Sequence, residues 1–123
     1  MFPPFNANTI MPADAAAATL VGRAWVPGNP SGPSVVLVRD GDVIDITSTV
    51  PTVSALLESN QLLQTVGNAQ GTPIGSVDEL LLNSVPDARS PATPYLLAPV
   101  DLQAIKACGV TFVVSMLERV IEE

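Results

Sequence analysis

The chain has 123 residues, of which 47% are hydrophobic and 14% are charged, and its formal net charge at pH 7 is −7. It is long enough for a domain with a hydrophobic core, and its five basic residues are too scattered to form an electrostatic footprint for nucleic acid. No apolar run reaches the length of a membrane span and the N-terminus has no signal-peptide pattern, so we expect a cytoplasmic protein without membrane association.

The chain is expected to begin irregularly and then to turn to β-structure. Residues 1–18 contain three prolines, which break regular structure, and their alanine-rich part is expected to form at most one helical turn. Residues 19–26 form a β-biased run. Residues 27–33 consist entirely of Pro, Gly, Asn and Ser, which predicts a loop.

The clearest local signal is a β-hairpin. Its predicted strands are residues 34–38 and residues 43–47, and the Asp40-Gly41 pair between them is a strong turn signal. The first strand is almost continuously apolar, which predicts that it is buried on both faces of the sheet.

Two short helices are predicted from their N-terminal capping residues. Thr52 is placed to cap a helix over residues 53–59. Ser76 and Glu79 form a capping box, in which each side chain accepts a hydrogen bond from the backbone of the other, and this box opens the second helix. Residues 67–75, which lie between the helices, are rich in Gly and Pro and are predicted to form a loop.

These elements predict the α+β fold class. Residues 1–95 are expected to form a small N-terminal α+β domain with a β-hairpin or mixed sheet and two short helices. Residues 96–123 are expected to be a connector followed by the first strand and helix of a second, truncated unit.

The last stretch, residues 113–123, has the pattern of an amphipathic helix. Its apolar residues fall at 113, 116/117 and 120/121, which is the spacing of one helical face. No Gly, Asn or Pro ends this helix, and Glu122 and Glu123 lie where the helix dipole favours cations. We therefore expect the chain to be part of a longer protein.

The chain offers little catalytic chemistry of its own. It has no histidine, which excludes a His-dependent triad, base or zinc site within it. Its single cysteine, Cys108, excludes an internal disulfide, fits a reducing compartment and is expected to be a small buried hydrophobic residue. The carboxylates mostly flank turns or occupy first helical turns, and none is paired for general acid–base catalysis.

A polar stripe accompanies the apolar face of the predicted terminal helix. It consists of Thr111, Ser115, Arg119 and Glu122. Two hydroxyls and an arginine near the start of a helix suit the binding of a carboxylate substrate. The alternative is a solvent-exposed helix face that carries only an Arg119–Glu123 ion pair.

Most of the chain after residue 18 has an order of parts that is shared with a known family. The matching parts are residues 20–25, 32–36, 45–47, 51–58 and 97–112, together with Ser115, Arg119 and Glu122. In this order they resemble the fumarylacetoacetate hydrolase family, in particular its bacterial sugar-acid dehydratase-like branch. Residues 97–112 are the more specific part of the resemblance.

The resemblance implies an enzyme in which a small N-terminal domain precedes a larger catalytic domain. That domain would act on 2-keto (sugar) acids, by dehydration or C–C hydrolysis, and would bind Mg²⁺ (or Mn²⁺ or Ca²⁺) through a Glu-x-Glu pair and a later Asp. The metal would polarise the keto oxygen and stabilise an enolate. This sequence contains no Glu-x-Glu. We therefore expect neither catalytic residues nor metal ligands in this chain, and a metal-dependent hydrolase or lyase, as a homodimer, in the parent protein.

One departure from the family pattern bears on the reaction. Many relatives have an Asn-Tyr…His pattern at the start of the catalytic domain, whereas this sequence has Thr111-Phe112 and no histidine. The departure favours the dehydratase-like branch over a His-assisted hydrolase. In that branch Thr111, Ser115 and Arg119 would face the active site as substrate-binding residues.

A second hypothesis makes the chain a non-catalytic interaction or oligomerisation module. The mean hydropathy is +0.39, which favours apolar surface left for a second domain or another copy of the chain. The apolar stripe of the C-terminal amphipathic helix would be the contact surface.

Overall fold

The computed structural model describes residues 5–109 together with Val113, Leu117, Val120 and Ile121. Residues 5–109 form a five-stranded sheet with four short α-helices, which confirms the predicted α+β class. The elements in chain order are α1 (Ala7–Ile10), β1 (Leu20–Val26), β2 (Gly32–Arg39), β3 (Asp42–Asp45), α2 (Val53–Leu57), α3 (Leu62–Asn68), β4 (Thr72–Ser76), α4 (Val77–Leu82), a 3₁₀ turn (Pro86–Ala88) and β5 (Tyr95–Leu97).

The described sheet is antiparallel, with the strand order β4-β3-β2-β1-β5. At its centre, β2 and β3 are joined by Asp40 and Gly41, whose φ angles are 54° and 85°. Positive φ at both central residues defines the type I′ turn, whose twist matches that of the two strands. The predicted hairpin is confirmed.

Apolar side chains cover both faces of the sheet. Val35 and Leu37 of β2 belong to a cluster on one face, and Val36 belongs to a cluster on the other, which confirms the predicted burial of this strand on both sides. The first cluster is Val35, Leu37, Ile46, Val50, Val53, Leu56, Val66 and Ala69, and the second is Ala24, Val36, Val43, Val77, Leu80 and Leu81.

Both predicted helix caps are present. The Thr52 hydroxyl accepts a hydrogen bond from the Ala55 amide at 3.0 Å. The Ser76 hydroxyl accepts from the Glu79 amide at 3.2 Å, and the Glu79 carboxylate accepts from the Ser76 amide at 2.7 Å. The helix that Thr52 caps ends at Leu57, earlier than predicted, and a separate helix, α3, begins at Leu62.

Three segments differ from the sequence prediction. The last two residues of the loop predicted for residues 27–33 already belong to β2. The loop predicted for residues 67–75 is wrong, because α3 extends to Asn68 and β4 then pairs with β3. Pairing with a distant strand outweighs the local turn composition, and Pro73 is tolerated because β4 is an edge strand. In the N-terminal segment, α1 was not predicted; its capping box pairs Asn6 with Thr9.

The boundary predicted between residues 95 and 96 falls within β5. This strand pairs with residues 23–25 of β1, so the sheet extends to Leu97. We call the described chain after β5, residues 98–109, the connector. The truncated second unit stays a prediction.

The predicted terminal helix is described at only four positions. Val113, Leu117, Val120 and Ile121 are helical, and all four are exposed. The remaining residues of that helix lie outside the described part of the chain. Among the residues that the structure describes, no helix is both long and apolar enough to cross a bilayer.

Candidate functional site

Asp101 of the connector lies against the N-terminus of α2. Its Oδ2 accepts a hydrogen bond from the Val53 amide at 2.7 Å. Its Oδ1 accepts from the Ser54 amide at 3.0 Å and lies 2.5 Å from the Ser54 hydroxyl oxygen. One carboxylate therefore holds two backbone donors and one side-chain donor of the same helical turn.

The first turn of α2 explains why a carboxylate is stable there. The first amides of a helix have no partner within the helix and need an acceptor from elsewhere. The side chain of Thr52, the N-cap, satisfies only the Ala55 amide. Asp101 satisfies the amides of Val53 and Ser54, so the connector completes a cap that the local sequence leaves unfinished.

Arg23 of β1 also fixes the connector. Its Nη1 donates to the carbonyl oxygens of Ala98, at 3.2 Å, and Val100, at 2.6 Å. Its Nε lies 3.7 Å from Oδ2 of Asp101, and the two side chains are 18% and 11% exposed. Because the guanidinium contacts both the connector backbone and the carboxylate, it holds Asp101 in position over α2.

Gln103 and the Ser54 hydroxyl complete the polar cluster. Oε1 of Gln103 accepts from the Asp101 amide at 2.9 Å and lies 2.7 Å from the Ser54 hydroxyl oxygen. That hydroxyl has a single proton, which it donates either to Asp101 or to Gln103. We call Arg23, Ser54, Asp101 and Gln103 the connector clamp.

The hydrogen bonds of the clamp hold Asp101 in its ionised form. The Ser54 hydroxyl is the largest cause that lowers the pKa of Asp101 well below its usual range; the amides of Leu102, Val53 and Ser54 add to it and burial opposes it. The carboxylate is therefore ionised near neutral pH, and its oxygens already accept hydrogen bonds from α2, so it is not placed to donate a proton as a general acid there. The clamp is therefore chemically suited to anchoring rather than to catalysis.

The described residues line at least two cavities, of which the second has residues of the clamp in its wall. A cleft of about 540 Å³ is bounded by the N-terminal segment, the β2–β3 turn and the start of α4. Two of its polar residues already have partners in the fold, since Arg39 donates to the Val66 carbonyl at 3.3 Å and Asp78 accepts from the Ala7 amide at 2.6 Å. The second cavity, of about 200 Å³, lies beside the clamp between Arg23, Pro33 and Leu102.

Within the described residues, no three His, Cys, Asp or Glu side chains come together in a way that would hold a metal ion. The metal site that the resemblance implies was expected beyond this chain and stays a prediction.

The predicted substrate-binding residues Thr111, Ser115 and Arg119 lie outside the described part of the chain, so their arrangement stays a prediction. Cys108 was expected to be buried, and this expectation is wrong because the thiol is exposed. The cause is local: the chain from Ala104 to Gly109 lies on the surface and supplies no apolar layer to cover the thiol.

Sequence reasoning assigned no role to the residues of the connector clamp. Val53 and Asp101 are 48 residues apart, so no local spacing links them. The only signal was indirect, because Arg23, Ser54, Asp101 and Gln103 all lie in segments that carry the family resemblance.

Comparisons of the chain with protein-family models, with curated proteins and with solved structures find no match.

Proposed function

We propose that this chain is the N-terminal, non-catalytic portion of a fumarylacetoacetate hydrolase family enzyme of the sugar-acid dehydratase-like branch. The enzyme would act on 2-keto (sugar) acids by divalent-metal-assisted enolate chemistry, either dehydration or C–C hydrolysis. Its metal ligands would lie downstream of Glu123. The observation that carries the proposal is the meeting of three resembling segments in the connector clamp.

Each of these segments supplies a different part of the clamp. Residues 20–25 contribute Arg23, residues 51–58 contribute Ser54, and residues 97–112 contribute Asp101. Segments that were singled out for their sequence alone therefore converge on one structural feature. This convergence supports the view that the resemblance reflects a real structural unit rather than chance similarity of short stretches.

The geometry of the clamp suits the role of an N-terminal domain. Arg23 and Asp101 fix the path of the chain from Ala98 to Gln103, so the next segment leaves the sheet at a defined place. In the proposed enzyme, this arrangement would position the start of the catalytic domain. Thr111, Ser115 and Arg119 would then bind the substrate, with Arg119 pairing with its carboxylate.

The experiment begins with the coding sequence downstream of Glu123. We expect it to continue for roughly another domain's length and to encode a Glu-x-Glu and a later Asp. The full product is then assayed on a panel of 2-keto and sugar acids with Mg²⁺ and with EDTA, and the 123-residue chain is the matched control. We expect metal-dependent turnover by the full product only. A stop codon directly after Glu123, or a full product that is inactive on the whole panel, contradicts the proposal.

A second candidate function is an oligomerisation module. Val113, Leu117, Val120 and Ile121 are helical and exposed, at the spacing of one helix face, which favours pairing with another helix. Light scattering of the 123-residue chain tests this function. We expect Val120→Glu to convert an oligomer to a monomer and Leu63→Glu, a change at an exposed site on α3, to leave the mass unchanged. An unchanged mass for Val120→Glu contradicts this candidate.

A further inference from the structure

We propose that the connector clamp is a conformational latch that couples the position of the connector to the first turn of α2. The latch has two states, in which residues 98–103 are either docked on the domain or released from it. Docking completes the cap of α2, and release removes that cap. The inference is independent of the chemistry proposed for the region beyond residue 123.

The first part of the latch is the set of hydrogen bonds from Arg23 to the connector. Arg23 belongs to β1, which is paired on both sides, so the guanidinium projects from a rigid element. It donates to the carbonyls of Ala98 and Val100 and makes no hydrogen bond to α2. The hydrogen bonds of Arg23 therefore reach α2 only by way of the connector.

The second half is the hold of Asp101 on α2. This carboxylate is the acceptor for the amides of Val53 and Ser54, and the amide of the next residue, Ala55, is held by Thr52 instead. Release of the connector is expected to free Val53 and Ser54 while the Thr52 cap remains. Release of the connector would thus break the hydrogen bonds of Val53 and Ser54 to Asp101 but not the hydrogen bond of Ala55 to Thr52.

The coupling gives α2 a way to respond to events at the C-terminal end of the chain. Leu102 and Ile105 of the connector are 80% and 74% exposed. A partner that binds this end of the chain would therefore contact the connector. On its other side, α2 contributes Val53 and Leu56 to the core cluster that contains Val35. A partner that shifts the connector changes the stability of the first turn of α2, and by linkage a change in α2 alters docking of the connector by the same factor.

Amide hydrogen exchange, measured residue by residue by NMR on the 123-residue chain, tests the latch. We expect Arg23→Gln to speed exchange at Val53 and Ser54 at least about tenfold, because local opening sets the exchange rate of such amides. The amides of β2, the central strand, should keep their protection. Arg89→Gln is the matched control, because Arg89 donates to the Ser84 carbonyl and does not touch the connector. It should leave Val53 and Ser54 unchanged.

Two results overturn the latch. Unchanged exchange at Val53 and Ser54 in Arg23→Gln means that the connector does not transmit the change. Equal acceleration in α2 and β2 means that the clamp opens only with the whole fold and is not a separate unit. Arg23→Lys, which keeps the charge but loses the fork of donors, is the second variant if Arg23→Gln does not fold, and the same two results decide it.

Combining Arg23→Gln with Asp101→Asn tests independently whether Arg23 acts on α2 through Asp101. Asp101→Asn should speed exchange at Val53 and Ser54 directly, because it weakens their acceptor. If Arg23 acts on α2 only through Asp101, then Arg23→Gln has no further effect in the Asp101→Asn background. A further tenfold acceleration in the double variant would overturn the proposed route.

Discussion

The Oδ2 atom of Asp101 lies 2.7 Å from the backbone nitrogen of Val53, although the two residues are 48 positions apart. A side chain of the connector thus caps the first amides of α2, a role that usually belongs to the residue directly before a helix. The consequence is that the stability of α2 depends on a segment at the other end of the described chain. Substitutions in the clamp and in the core test this dependence and the packing on which it rests.

Asp101→Asn should lower the melting temperature by several degrees at pH 7, because a neutral amide is a weaker acceptor for the donors on Val53 and Ser54. The folded-state pKa of Asp101 is lowered, so its contribution to stability is present above the unfolded-state pKa and is lost as the pH falls through the folded-state value. The difference between wild type and variant should therefore begin to shrink below about pH 4. Thermal unfolding over a pH series measures it.

The control for this prediction is Asp14→Asn, an exposed carboxylate in the N-terminal segment. Its melting temperature should match that of the wild type at pH 7. A wild-type advantage over Asp101→Asn that grows as the pH falls would show that the carboxylate is not the stabilising form.

Removing a core side chain on either face of the sheet should cost a similar amount. Leu56 and Leu80 are 0% and 1% exposed and belong to the two different clusters. We expect Leu56→Ala and Leu80→Ala each to lower the free energy of unfolding by about 2–5 kcal/mol. Urea unfolding monitored by the fluorescence of Trp25, the single tryptophan, measures both.

Leu63→Ala is the matched control for these two variants, because Leu63 is 69% exposed. It should change the free energy of unfolding by less than about 0.5 kcal/mol. If only one of the two core variants is destabilised, the face with the unaffected leucine is not a true core.

Gly71 and Gly67 should respond in opposite directions to replacement by alanine. A Cβ at Gly71 would collide with the carbonyl oxygen of Asp45 and lie 2.8 Å from Cγ2 of Ile44, so Gly71→Ala should destabilise the fold by about 2–3 kcal/mol. A Cβ at Gly67, within α3, meets no atom within 4 Å, so Gly67→Ala should stabilise it by up to about 1 kcal/mol. Urea unfolding compares the two. Equal effects would mean that β4 does not approach β3 as closely as described.

Ser76→Ala should lower the free energy of unfolding by about 1 kcal/mol, because it removes the acceptor for the Glu79 amide at the start of α4. Ser76→Thr keeps a hydroxyl and should recover most of the loss. Ser31→Ala, an exposed loop change, serves as the control in the same denaturation series. A Ser76→Ala variant as stable as the wild type would argue against the capping box.

The parts of the fold that the sequence predicted are those held by contacts within a few residues. The Asp40-Gly41 turn and the caps at Thr52 and Ser76 involve partners no more than three positions away, so their patterns are visible in the sequence. In contrast, β4 was missed because its stability comes from pairing with β3 across two intervening helices, which outweighs the turn composition around Pro73.

The same reasoning explains what was missed at the candidate site. Neither Arg23 nor Asp101 has a charged residue next to it in the sequence that would indicate a site. The two side chains come together only because β5 pairs with β1 and brings the connector next to Arg23. The substrate-binding roles of Thr111, Ser115 and Arg119 come from the family resemblance alone and stay predictions.

The double burial of β2 has a consequence for strand alignment. In a strand with one apolar face, a slip of one residue exposes every apolar side chain and is strongly disfavoured. In β2 the residues from Val35 to Val38 are all apolar, so a slipped strand would still present apolar side chains to both layers. The apolar pattern therefore does not determine the register of β2, and the tight turn at Asp40 and Gly41 must determine it instead.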